Sequence, residues 1–212
     1  MAHQRAEQKQ RTRARILAAA RKLFVSVGYG DTTIRMLASE ASVAAGSVFT
    51  TFSNKEDVLL AIAAERSDEL ANHLARRLAE ATGPARARLK LAFEAAYAFE
   101  QERLALQIAH LGASWTWSED MERRSREQQA KPFGIFRALL VEAARSGELR
   151  REVDVDLLAD MLFTLYLRNF RHAWYRQLAP PDSAALAARQ IDLVYDGACP
   201  NANLAGRAPD GM

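Results

Sequence analysis

The stretch that decides the fold is Thr33-Ile-Arg-Met-Leu-Ala-Ser-Glu-Ala-Ser-Val-Ala-Ala-Gly-Ser-Val-Phe-Thr-Thr-Phe-Ser-Asn-Lys-Glu-Asp-Val-Leu59. A hydroxyl at Thr32 or Thr33 is available as an N-cap, and Ile34, Leu37, Ala38 and Ala41 then form the apolar stripe of one short helix. After Ser42-Val43 another short helix, Ala44 to Thr51, turns Val48 and Phe52 inward, and Ser53 or Asn54 caps a long helix beginning near Lys55. With the helix upstream of them, these two short helices make three, the second and third joined by a tight turn, a three-helix helix-turn-helix candidate. Such a recognition helix needs its inner side pinned by apolar residues while small polar residues face a major groove. Val43, Val48 and Phe52 do the pinning, which leaves Ala45, Gly46, Ser47 and Thr50 outside.

Upstream, Ile16, Leu17, Ala20, Leu23, Phe24 and Val27 recur at steps of three and four from Thr12 onward, a helix that stops at Gly28-Tyr29-Gly30. Up to Lys55 there are nine Lys/Arg against three Asp/Glu, although the 212-residue chain carries a net charge of only +3. A basic N-terminal quarter on a slightly acidic body suggests a polyanion partner. The arm bearing Arg5, Lys9, Arg11, Arg13 and Arg15 either follows a nucleic-acid backbone or groove, or is simply solvated.

Downstream, helices are expected over 55–81, 85–110, 118–128, 132–145, 154–178 and 182–195, with a loose tail over 198–212. Strand signals are absent, so the fold class is all-α. With 49% hydrophobic residues, Gly 10 and Pro 6, the chain is neither disordered nor collagen-like. The single cysteine, Cys199, excludes a disulfide framework, and the four histidines are scattered singly, so no metal and no cofactor are expected. Charges interrupt every apolar run and the N-terminus has no signal-peptide core, which points to a soluble, cytoplasmic protein without membrane contact. No glycine-rich phosphate loop, His-Glu-x-x-His or Gly-x-Ser-x-Gly suggests an enzyme.

The quoted stretch, with the preceding helix ending Leu-Phe-x-x-x-Gly-Tyr, resembles the DNA-binding domain of TetR-family transcriptional regulators. The chain departs from the family pattern at four places: Ser42 for glycine, Ala44 for serine, Phe49 for tyrosine and Thr51 for an aromatic or histidine. The resemblance implies two domains, an arm and helix-turn-helix DNA-binding domain over 1–54 and a larger helical ligand-binding and dimerisation domain over 55–197, ahead of the tail, which its Gly, Ala, Asn and Pro content marks as disordered. It implies that Thr33 and Lys55 grip phosphates, while Arg35 and the outer side formed by Ala45, Gly46, Ser47, Phe49, Thr50 and Thr51 meet bases or backbone. The expected partners are a palindromic double-stranded operator, a second copy of the chain and a small organic effector. Repression relieved by that effector is the implied function; a dimeric helical interaction module with weak DNA binding is the alternative.

For the effector, the candidates are Phe93, Tyr97, Gln107, His110, Trp115, Trp117, Met121 and Phe133, in the segment between Phe93 and Phe136. An aromatic-lined cavity with a few polar groups suits an apolar or amphipathic molecule. The same stripe reads equally as packed core. A strongly anionic ligand lacks an evident buried partner here, because Arg103 lies between Glu100 and Glu102 on a charged face. The helix over 154–178 has more apolar surface than one buried stripe needs, so it and the last helix are expected to cover a second copy of the chain, with Trp174 outward.

Overall fold

The computed structural model describes residues 2–198, so the expected tail lies outside the described residues except for its first position. The described chain is all helix and turn: α1 (Ala2–Ser26), α2 (Ile34–Glu40), α3 (Ala45–Phe49), α4 (Lys55–Ala79), α5 (Ala85–Gln101), α6 (Leu104–Ser114), α7 (Glu119–Arg145), α8 (Val155–Arg176) and α9 (Pro180–Ala198). None of these helices is long and apolar enough to cross a membrane. The chain divides into two compact units, one of residues up to Leu70 with Glu100–Lys131, the other of Ala71–Phe99 with residues from Pro132 onward.

The first unit is built on the apolar stripes seen in the sequence. Ile16, Leu17, Ala20 and Phe24 of α1 pack with Leu37 and Ala38 of α2, Val48 of α3, Val58, Leu59 and Ile62 of α4 and Leu106 of α6. Each large side chain so buried contributes roughly 1.5–3 kcal/mol relative to exposure. Helix α1 ends where Gly28 takes φ +97°, a left-handed conformation that glycine adopts without Cβ strain. Thr33 caps α2, its Oγ1 accepting from the Met36 N–H at 3.2 Å. Asn54 caps α4: its Oδ1 accepts from the Asp57 N–H at 2.7 Å, and the Asp57 carboxylate accepts from the Ser53 N–H at 3.2 Å.

In the second unit, Tyr166 of α8 sits among the rings of Phe93, Tyr97, Phe136 and Phe170, with centroids 4.8–5.9 Å away. Asn169 fixes the register there, donating to the Tyr97 hydroxyl at 3.0 Å and to Gln190 Oε1 at 2.7 Å. Asp154 caps α8, accepting from the Asp156 and Leu157 N–H groups at 3.0 Å each. Arg86 joins α5 to α9 through Asp192 at 2.9 Å and Asp196 at 2.8 Å.

Three helix boundaries differ from expectation. Helix α1 reaches back to Ala2, so the basic arm is a helical extension with residues 4–11 exposed. The helix expected over 85–110 is interrupted after Gln101, and α6 restarts at Leu104 behind Arg103, whose φ −123° and ψ 15° leave the helical range. No glycine or proline marks that break; it follows Glu100, which is drawn inward to Arg66. The helices expected over 118–128 and 132–145 are one, α7, with Pro132 inside it. Proline removes one backbone hydrogen bond. Buried Met121 and Ser125 before it, and Phe136, Leu139, Leu140 and Ala143 after it, anchor the helix on either side.

Candidate nucleic-acid interface

The outer side of α3 and its flanks is a patch of small groups. Ala45, Gly46 and Thr50 are exposed, Ser47 is half-buried, and Val48 beneath them is fully buried. Small side chains at this place let a duplex backbone come close. The hydroxyls of Thr50 and Thr51 both donate to the Ser47 carbonyl, at 3.0 and 2.8 Å, which spends their protons and leaves their oxygens as acceptors. Phe49 is 59% exposed, a bare ring without the hydroxyl of a tyrosine. Thr33 and Arg35 are exposed at the start of α2; the Thr33 oxygen accepts the cap bond and its proton stays available to a phosphate.

Two of the pattern departures have visible consequences. Ser42, between α2 and α3, has φ +50°, the left-handed region in which a Cβ is strained by roughly 1–2 kcal/mol. Ala44 stands at the N-cap of α3 and makes no side-chain cap bond. The turn is braced from α1, where Arg15 donates to the Ser42 carbonyl at 2.6 Å and Arg13 lies over the Phe52 ring at 5.0 Å.

Lys55 is placed differently from its expected role. Its ammonium donates to the carbonyls of Tyr29, Gly30 and Thr32 at 2.6, 3.0 and 3.0 Å and lies 4.4 Å from the centre of the Tyr29 ring. Three donors meet three acceptors, so the group closes the α1–α2 loop and has no proton left for a phosphate. This placement also explains a cation in the first turn of α4, where the helix dipole disfavours it.

The eight effector candidates do not form one lining. Phe93 and Tyr97 are packed against Phe136, Tyr166 and Phe170 in the second unit, and burial raises the Tyr97 phenol well above its ordinary value. Phe133, in the same unit, meets Phe163 edge to face at 5.2 Å. Phe93 and Tyr97 are core and Phe133 is half-buried beside Phe163; an aromatic stripe has the same spacing whether its rings line a cavity or pack on one another. Trp115 is 87% exposed.

Gln107, His110, Trp117 and Met121 belong to the first unit, and two of them, His110 and Trp117, are in direct contact. His110 meets Trp117 edge to face at 4.9 Å, and its Nε2 lies 3.5 Å from the Ser125 hydroxyl. Burial, aided by Arg66, holds the imidazole neutral with a pKa of about 3. Gln107 Oε1, His110 Nδ1 and Trp117 Nε1 are all buried without a hydrogen-bond partner. A buried polar atom without a partner is uncommon in a finished core and marks a place for water or a ligand. The cavity beside them, between Leu59, Ala63 and His110, holds about 10 Å³, room for no more than one water.

A family model described as "Bacterial regulatory proteins, tetR family" matches residues 16–62, the span from the first buried residue of α1 to the buried Ile62 of α4. The fatty acid metabolism regulator protein of Bacillus subtilis is 25% identical over 193 residues, 90% of this chain and 97% of that protein. The HTH-type transcriptional regulator TtgR of Pseudomonas putida is 28% identical over 188 residues, 85% of this chain and 86% of that one. Among solved structures, the transcriptional regulator FadR of Bacillus subtilis in complex with stearoyl-CoA superposes with a TM-score of 0.73 at 22% identity, covering 87% of this chain and 98% of that one.

Proposed function

We propose that this chain, whose residues 16–62 match the tetR family of bacterial regulatory proteins, is a TetR-family transcriptional regulator, a homodimeric repressor released from a palindromic operator by a small organic effector. The observation that carries this reading is the exposed patch of Ala45, Gly46 and Thr50 above a fully buried Val48. A groove-reading helix has that construction: rigid below and small above. Phosphate contacts then fall to Thr33, Arg35 and the basic start of α1 rather than to Lys55.

Dimerisation is supported by apolar side chains left exposed on the last two helices. Leu157, Met161, Trp174 and Tyr175 of α8 and Leu193 of α9 are uncovered within one chain, and apolar exposure of that kind is what a second copy covers. Gln107, His110 and Trp117 of the first unit, whose buried polar atoms are unmatched, are the effector contacts this reading keeps; the void of about 10 Å³ beside His110 must widen for an organic effector to enter. Likeness to the fatty-acid regulators supports an amphipathic effector of the acyl-thioester class, met in the cytoplasm.

Fluorescence anisotropy with labelled duplex from upstream of the protein's own gene tests the reading. Salt-sensitive binding, saturating at two chains per duplex, is expected. A dimeric module with weak DNA binding is the second reading, favoured by the uncapped α3 and the engaged Lys55. A dimer that binds no tested duplex even at low salt selects it.

A further inference from the structure

The first unit holds a second cavity, of about 310 Å³, bounded by Arg21 of α1, Arg66 of α4 and Arg103 just ahead of α6. Three arginines therefore border one space. Ile62 and Leu106 give it an apolar wall, and Glu65 and Glu69 line it beside the arginines. The volume is at the lower end of the range for small-molecule sites.

The three arginines are not equivalent. Arg21 pairs with Glu65 and Arg103 with Glu69, all four side chains being 38–51% exposed. Pairs so open to water are weak and readily exchanged. Arg66 is only 8% exposed, and its partner Glu100 only 1%. One carboxylate contact at 3.2 Å is what Arg66 has from Glu100, and its buried Nε has no hydrogen-bond partner. A guanidinium presents five donors in a planar fork that matches an oxyanion. A buried one with an unmade bond and a cavity beside it is a site short of an acceptor. In the sequence Ala64-Glu-Arg-Ser67 this arginine reads as an ordinary solvated charge, which is why an anionic ligand there had no visible partner.

We propose that this cavity binds the oxyanion head, carboxylate or phosphate, of a small organic anion, with Arg66 as the buried anchor and Arg21 and Arg103 turning from Glu65 and Glu69 to close on it. The two glutamates give way to solvent, and Ile62 and Leu106 receive the carbon next to the head. Arg21 lies on the same helix as Ile16, Leu17 and Phe24, which pack on α2 and α3, so an occupant would act directly on the reading head. Binding at this site stands apart from the repressor reading; only its effect on DNA rests on it.

Calorimetric titration of the full chain with inorganic pyrophosphate and, separately, with octanoate tests the site. Two double variants accompany the wild type. Arg21→Gln/Arg103→Gln alters only partly exposed side chains, and Arg66→Met/Glu100→Gln removes the buried pair together so that no lone charge remains. The wild type is expected to bind at least one probe at one per chain, with affinity falling tenfold or more in both variants. Pyrophosphate alone binding marks a phosphate head, and octanoate alone a carboxylate. Should the buried double variant fail to fold, the rim variant decides. Binding of neither probe, or affinity unchanged by the substitutions, overturns the proposal. Release of operator by the bound probe, read by anisotropy, supports its coupling to the head; saturable binding without release supports the site and refutes that coupling.

Discussion

Lys55→Met separates two roles that a sequence motif leaves fused. The ammonium holds three carbonyls of the α1–α2 loop at 2.6–3.0 Å. A hydrogen bond to a charged group contributes about 1.5–3 kcal/mol where water is excluded. Lys55 is half-buried and water replaces part of what is lost, so the three bonds together are assigned about 2 kcal/mol. For a chain of this length that corresponds to a fall of about 4–8 °C in Tm. Circular dichroism melts read this fall directly. Operator affinity is then measured as a function of salt, because each phosphate contact adds about 0.9 to the slope of log K against log salt. The slope should stay at the wild-type value while affinity drops modestly, since the loop that seats α2 is loosened. A slope reduced by about 1 per half-site with Tm unchanged would mean that the ammonium leaves the carbonyls for a phosphate, and the loop-clamp assignment would be wrong.

Ser42→Gly should stabilise the chain by roughly 0.5–1 kcal/mol, the relief of left-handed strain at φ +50° less the added backbone entropy of glycine; a lower urea midpoint would refute it. His110, held neutral with a pKa of about 3 against an ordinary 6.5, binds its proton more readily unfolded, so its contribution erodes stability as pH falls from 6.5 towards 3. His110→Gln should therefore shrink the loss between pH 7 and pH 4 by up to about 3 kcal/mol, and an identical pH profile would contradict the burial. Trp174→Glu, at a position 43% exposed on α8, should give monomers by light scattering and weaken operator binding through lost avidity. A dimer of unchanged mass would move the interface off α8.

The helix-turn-helix was legible because its physics is local. Apolar spacing, the Thr33 and Asn54 caps and the Gly28 stop act within a few residues, and the structure uses each of them. Ser42 and Ala44 were visible as departures, and the strained φ and the missing cap are their local cost. What escaped was tertiary. Nothing near Lys55 in the sequence shows that Tyr29, Gly30 and Thr32 fold back onto it. The aromatic stripe from Phe93 onward has the same spacing whether rings line a cavity or touch one another, and here Phe93, Tyr97, Phe136 and Tyr166 touch. Arg66 and Glu100 are charged residues 34 positions apart, and only their joint burial, with an ion pair at 3.2 Å, distinguishes them from solvated neighbours.

Footprinting and sedimentation on one operator duplex test the central claim most directly. Two protected half-sites centred one helical turn apart, about 34–36 Å, with two chains per duplex and protection abolished by Arg35→Ala together with Gly46→Glu, are the predicted result. Uniform protection along any duplex, with no half-site spacing and no response to those substitutions, would contradict a paired reading head on this chain.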